Sequence, residues 1–230
     1  MSFYRYSSDS LNNSNIRTNK SIILDLDETL VHTYDDEQYQ RFNELNLMGD
    51  PNLIDLRSRL YVLPLLDLSH SGSDSMNLLW GIFRPGLKSF LNFCNSYFKH
   101  ICVWSAGEYD YVHNVCNQIF RGIRYPEIIF TRDDCEKLGN HLRKPIVNML
   151  KNPILSGTGI EDVFILDDRA STFSANPDNG ILIPAYTPND NIVDLRKDDR
   201  YLTDLIRWFG YPEVARSPDV RSIDKNRIFG

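Results

Sequence analysis

An α/β fold layered around a mainly parallel sheet is what this sequence predicts, and three observations carry the prediction. Short continuous apolar runs recur along the chain, as in strands buried on both faces. One-sided helical patterns lie between them. A single stretch, residues 34 to about 82, breaks the alternation and reads as an antiparallel insertion after the first strand.

In chain order, residues 1–19 are rich in Ser and Asn and predict a flexible arm. Ser21-Ile22-Ile23-Leu24-Asp25-Leu26 then opens the first strand abruptly and ends on acids. Within the insertion, Leu60–Leu66 and Met76–Phe83 flank a Ser/Gly turn at Ser69–Ser73, the pattern of a β-hairpin. Behind Arg84-Pro85-Gly86, apolar residues at Leu87, Phe90, Leu91, Cys94, Tyr97 and Phe98 predict a helix with Pro at its start. Ile101–Trp104, Glu127–Phe130, Val163–Leu166 and Gly180–Pro184 are four further strands. Two more helices follow from Tyr109, Val112, Cys116, Ile119 and Phe120, and from Tyr201, Leu202, Leu205, Ile206 and Phe209. Asp198 and Asp199 suit the N-terminus of the last one. The domain therefore spans 20–210, and 211–230 is set apart as a C-terminal tail.

Composition narrows the functional classes. The 230 residues carry 25 Lys plus Arg against 31 Asp plus Glu, a formal charge of -6. That excludes charge-driven binding to nucleic acid or anionic membranes as the main activity, and direct nucleic-acid binding is disfavoured. No run of eighteen apolar residues exists, and Met1–Ser8 is unlike a signal peptide. Cys94, Cys102, Cys116 and Cys135 form no CxxC pair and offer neither a disulfide scaffold nor a zinc site. A nuclear or cytoplasmic protein with reduced thiols is expected, neither secreted nor membrane-spanning.

The chemistry gathers at strand ends. Asp25 and Asp27, two apart on extended chain, point the same way into the crevice where parallel sheets bind ligands. One could serve as nucleophile or metal ligand and the other as general acid/base; the plain alternative is an acidic turn. Ser105-Ala106-Gly107 follows the second strand and places a hydroxyl beside flexible amides suited to a phosphate. Arg143-Lys144-Pro145 brings a cation into a helix, and Asp167-Asp168-Arg169 ends the fourth strand. Singly these read as a turn, a solvated charge and a cap. Together they supply nucleophile, acid, hydroxyl, cation and metal carboxylates in order along the chain.

In these motifs the sequence resembles the haloacid dehalogenase (HAD) superfamily of aspartate-nucleophile phosphotransferases. More narrowly it is similar to the phosphatases of the RNA polymerase II C-terminal domain, the FCP/SCP or NLI-interacting-factor-like type. Leu24–His32, Phe83–Gly86, Phe130–Cys135, Lys144 and Leu166–Arg169 carry the likeness, which runs from Ser21 to Phe209. It implies a three-layer α/β/α HAD-like (Rossmannoid) domain with a small antiparallel β insertion. By resemblance, Asp25 is the nucleophile, Asp27 the general acid and then base, and Thr29 a support bonding near Asp27. Ser105, Ala106 and Lys144 hold phosphoryl oxygens. Mg²⁺ is implied on Asp25, the carbonyl of Asp27, and Asp168, with Asp167 orienting Lys144 or metal waters. Tyr111 and Arg132 fall where the small phosphatases contact phosphopeptide.

One departure concerns substrate: Glu108 stands where a small apolar residue lines the peptide pocket. The expected function is a Mg²⁺-dependent serine/threonine phosphoprotein phosphatase, its partner an RNA polymerase II C-terminal-domain-like peptide. The alternatives are a HAD phosphatase for a nucleic-acid end or small phosphoester, and an inactive phosphopeptide-binding module. Trp80 and Ile82 are candidates to pack against a substrate proline, or else only cement the insertion to the domain.

Overall fold

The structure, a computed structural model, describes residues 17–35, 39–67 and 75–229. The arm expected over 1–19 falls outside them except for its last three residues, and the Ser69–Ser73 turn falls outside them too. The first half of the chain contains Ser21–Leu24 (β1), Val31–Tyr34 (β2), Tyr39–Glu44 (α1), Ile54–Arg57 (α2), Leu60–Asp67 (β3), Ser75–Phe83 (β4), Leu87–Tyr97 (α3), His100–Trp104 (β5) and Tyr109–Ile119 (α4). The second half contains Ile128–Phe130 (β6), Glu136–Leu138 (β7), His141–Arg143 (β8), Ile146–Leu150 (α5), Val163–Asp167 (β9), Gly180–Leu182 (β10), Ile192–Leu195 (α6), Tyr201–Phe209 (α7) and Pro212–Ala215 (α8).

Five strands form the central sheet in the order β10-β9-β1-β5-β6, all parallel. Period-two alternation buries both faces of β1. Ile22 and Leu24 join the cluster under α3, α4 and α7, with Phe90, Val112 and Phe209, while Ile23 joins Cys102, Ile165, Ile146 and Met149 on the other side. The result is a mixed α/β fold of three layers. Strand order reverses between β1 and β9, and Leu24 lies level with both Val103 and Leu166. The residues after these three strands therefore meet at the switch point, where such sheets take ligands.

The insertion is a second sheet, β2-β4-β3, wholly antiparallel. Strand β2 completes what reads in sequence as a two-stranded hairpin. Its Val31-His32-Thr33-Tyr34 is too short and polar to register as an apolar run, and the β7–β8 hairpin escapes notice for the same reason. Trp80 and Ile82 are fully buried: Trp80 stacks on Tyr34 at 4.0 Å between ring centroids and packs on Phe42. Both belong to the insertion's own core with Leu53, Leu56, Tyr186 and Leu195. The proline-contact expectation is thus corrected, because helices α1 and α2 and the α6 segment cover the face that the strand pattern leaves open.

The segment set apart as a tail packs back on the domain through buried Val214, Val220 and Ile228. Just before β1, the buried Lys20 donates its Nζ to the Ser217 carbonyl at 2.6 Å. All four cysteines are free, three of them buried. Among the described residues no helix is long and apolar enough to cross a membrane.

Candidate active site

The Asp25 N–H donates to the Leu166 carbonyl at 3.0 Å, continuing the β1–β9 ladder one residue beyond the strand. That bond fixes Asp25 against Asp167 across the switch point. Between them lies Lys144, carried ahead of α5 and anchored by its own N–H to the Thr172 carbonyl at 2.6 Å. Lys144 Nζ sits 2.5 Å from Asp25 Oδ1 and 2.6 Å from Asp167 Oδ2, all three side chains being buried. The Asp167 Oδ1 atom accepts the Arg169 N–H at 2.9 Å.

Asp168 completes a carboxylate cluster with Asp25 and Asp167, whose nearest oxygens lie within 4.8 Å of one another. Burial and then the neighbouring Asp167 push Asp168 up to about 6, against the pull of Arg169. Burial also raises Asp25, opposed by Lys144 and reinforced by Asp167 and Asp27. For Lys144, burial alone would depress the ammonium, but Asp25 and Asp167 outweigh it and hold it above its ordinary range. Three carboxylates face one ammonium, so negative charge is in excess. An all-oxygen, carboxylate-rich donor set of this kind fits a hard divalent cation.

Asp27, two residues beyond Asp25, has a different set of partners. Ser105 Oγ donates to Asp27 Oδ2 at 3.3 Å, and the Tyr111 hydroxyl donates to Asp27 Oδ1. Ser105 is fully buried and its Oγ accepts the Gly107 N–H at 3.0 Å, closing a small turn behind the strand. Burial raises Asp27, while the bonds from Tyr111 and Ser105 act against the rise. Glu28 then takes a left-handed backbone, φ 55°, which turns the chain sharply away from the crevice.

Other expected residues fall differently. Thr29 bonds next to Asp27 through its backbone, its N–H donating to the Leu26 carbonyl at 3.3 Å, while its buried Oγ1 accepts the Asp168 N–H at 3.1 Å and so steadies the carboxylate cluster. Arg132 donates its Nε to the Ala106 carbonyl at 2.8 Å and an Nη to Glu108 at 2.6 Å, and it remains half exposed at the rim. Glu108, at the head of α4, is likewise exposed and spends its carboxylate on Arg132.

Three residues near the site are given no role in the sequence reading. Arg84, buried, donates to the Thr29 and Pro184 carbonyls at 3.0 and 2.7 Å and pairs with Asp199 at 2.9 Å. Thr33 Oγ1 lies 2.6 Å from the hydroxyls of both Tyr61 and Tyr111. The one sequence signal for that pair is Gly81, a glycine inside an otherwise apolar strand.

A family profile described as NLI interacting factor-like phosphatase matches residues 20–221. A variant of the fission yeast RNA polymerase II CTD phosphatase Fcp1 bound to beryllium fluoride superposes with a TM-score of 0.60 at 19% identity, over 89% of this chain and 53% of that one. A second structure, of Fcp1 described as an essential RNA polymerase II CTD phosphatase, gives 0.56 at 19% identity, over 96% and 62%. This chain thus spans between half and two thirds of those chains, and at that identity the likeness is one of fold. Among curated protein sequences none matches.

Proposed function

The chain belongs to the NLI interacting factor-like phosphatase family, and from that premise we propose that it is a Mg²⁺-dependent phosphoprotein phosphatase working through an aspartyl-phosphate on Asp25. The proposed substrate is phosphoserine or phosphothreonine on a peptide like the C-terminal domain of RNA polymerase II, with a nuclear or cytoplasmic setting to match. The observation that carries this reading is the buried ammonium of Lys144, shared between Asp25 and Asp167. A nucleophilic carboxylate needs such a cation before a phosphate dianion can approach it.

In the proposed reaction, an Asp25 carboxylate oxygen forms a bond to phosphorus as the bond from phosphorus to the serine oxygen breaks. Asp27 gives its proton to the departing oxygen, then accepts one from the water that attacks the same phosphorus. The bond from phosphorus to Asp25 breaks, and inorganic phosphate leaves. Lys144 and Ser105 hold phosphoryl oxygens through both steps, and Ala106 contributes backbone beside them. Asp25, Asp168 and the Asp27 carbonyl would hold Mg²⁺, while Asp167 keeps Lys144 in place. When bound, the ion supplies Lewis acidity and offsets the crowded negative charge. Arg132, at the rim, and Tyr111, half-buried beside Asp27, are the residues proposed to meet the peptide.

The test compares phosphorylated heptads, a 3′-phosphorylated polynucleotide and p-nitrophenyl phosphate, each with Mg²⁺ and with EDTA. Metal-dependent turnover with the highest kcat/KM on a phosphoserine heptad is expected. No turnover of any ester would make the chain a binding module, and preference for the polynucleotide end would sink the peptide substrate.

A further inference from the structure

The antiparallel insertion does more than stand beside the crevice. In its sheet, Gly81 of the central strand β4 is the cross-strand partner of Thr33 on one side and Tyr61 on the other. A Cβ at Gly81 would collide with the ring and hydroxyl of Tyr61. Without one, the Tyr61 phenol lies across β4 and reaches Thr33 on the far strand at 2.6 Å. Thr33 in turn meets Tyr111 of α4 at 2.6 Å, and Tyr111 meets Asp27.

Proton counting gives this chain of hydroxyls a direction. Each hydroxyl has one proton to donate. Tyr111 spends its proton on Asp27 Oδ1, so the bond to Thr33 must be donated by Thr33. Thr33 is then out of protons, and the remaining bond is donated by Tyr61. The order is Tyr61 to Thr33 to Tyr111 to Asp27 Oδ1, each link polarising the next.

A carboxylic acid can carry its proton on either oxygen. With Oδ1 taken by the Tyr111 donor, the proton of Asp27 is directed to Oδ2, where the Ser105 hydroxyl, 3.3 Å away, donates to the carboxylate and turns to accept from the acid. We propose that Thr33 and Tyr61 are positioning residues for the general acid: acting through Tyr111, they keep the transferable proton of Asp27 on the oxygen that faces the phosphoryl site. This rests on the reading of Asp27 as the acid that protonates the leaving group. Thr33 has the larger share, because without it Tyr111 has a vacant acceptor that invites the Asp27 proton to the wrong oxygen. Tyr61 only fixes which way the Thr33 hydroxyl points.

The readout is leaving-group dependence. Loss of acid positioning slows esters whose leaving group needs a proton, whereas p-nitrophenolate departs without one. The ratio of kcat/KM for phenyl phosphate to that for p-nitrophenyl phosphate should fall about tenfold in Thr33→Val and about threefold in Tyr61→Phe. It should stay within about a factor of two of wild type in Thr33→Ser, which keeps the hydroxyl. All three substitutions are near-isosteric, and thermal melting of each variant checks the fold. Equal losses on both esters, or a ratio unmoved in Thr33→Val, overturn the inference while leaving the phosphatase reading in place. A wild-type protein inactive on both esters overturns the phosphatase reading itself, and the inference with it.

Discussion

The parallel sheet and the antiparallel insertion both end at Asp27 but bring opposite chemistry to it. The parallel sheet delivers ions: Asp25 and Asp167 are held by backbone bonds that extend the strand ladder, and Lys144, anchored to Thr172 ahead of α5, joins them in a buried cluster. The insertion delivers neutral hydroxyls, strung across three strands on either side of one glycine. Buried ions are costly unless partnered, so their positions must be set by the least deformable element available. A hydroxyl string is satisfied within itself and can sit on a smaller, separately packed sheet. The first region supplies the electrostatics; the second supports the orientation of one proton.

The largest expected effect separates chemistry from stability in the parallel sheet. Asp25→Asn should lower kcat by roughly 10⁴-fold or more, since the amide is no nucleophile. Lys144 keeps Asp167 as partner in that variant, so thermal melting should hardly move. Near-normal turnover would remove Asp25 from the nucleophile role. In the insertion the balance should reverse. Trp80→Ala empties a fully buried site and should cost about 3–5 kcal/mol of unfolding free energy. Urea titration gives this directly, and a loss below about 1 kcal/mol would mean that the insertion core is not built on Trp80.

Smaller effects sharpen the contrast. EDTA should abolish turnover and Mg²⁺ restore it, and Asp168→Asn should raise the Mg²⁺ needed for half-maximal rate by about 10–100-fold. If Asp167→Asn raises that requirement more, the ligand role passes to Asp167. At the rim, Arg132→Ala should change stability by no more than about 1 kcal/mol, because its pair with Glu108 is exposed. Its expected signature is a selective loss on phosphopeptide of about 1–3 kcal/mol in kcat/KM. Equal losses on p-nitrophenyl phosphate would move Arg132 from the peptide to the phosphate.

The sequence shows the ionic half of this site more clearly than the hydroxyl half, for a physical reason. Asp25, Ser105 and Asp167 each abut an apolar run, so a buried strand and a polar end are visible together in a few residues. Thr33 and Tyr61 are 28 positions apart, and what joins them is the missing side chain of Gly81, itself further along the chain. Only strand register reveals that. Trp80 misleads similarly: its strand pattern shows an apolar residue but not the cover contributed by Phe42 and the distant Tyr186. Thr29 is legible as a supporting residue, yet its partner, the Asp168 amide, comes from the neighbouring strand.

The bond from Lys20 to Ser217 has a practical consequence for handling this protein. It pins the segment after α8 to the foot of β1, while Asp25 stands at the other end of that strand. Five residues of extended chain put the two about 16 Å apart. A surface tether, a fluorophore or a fused partner attached near residue 17 or beyond Ser217 would therefore pull on the base of the sheet and leave the phosphoryl crevice open.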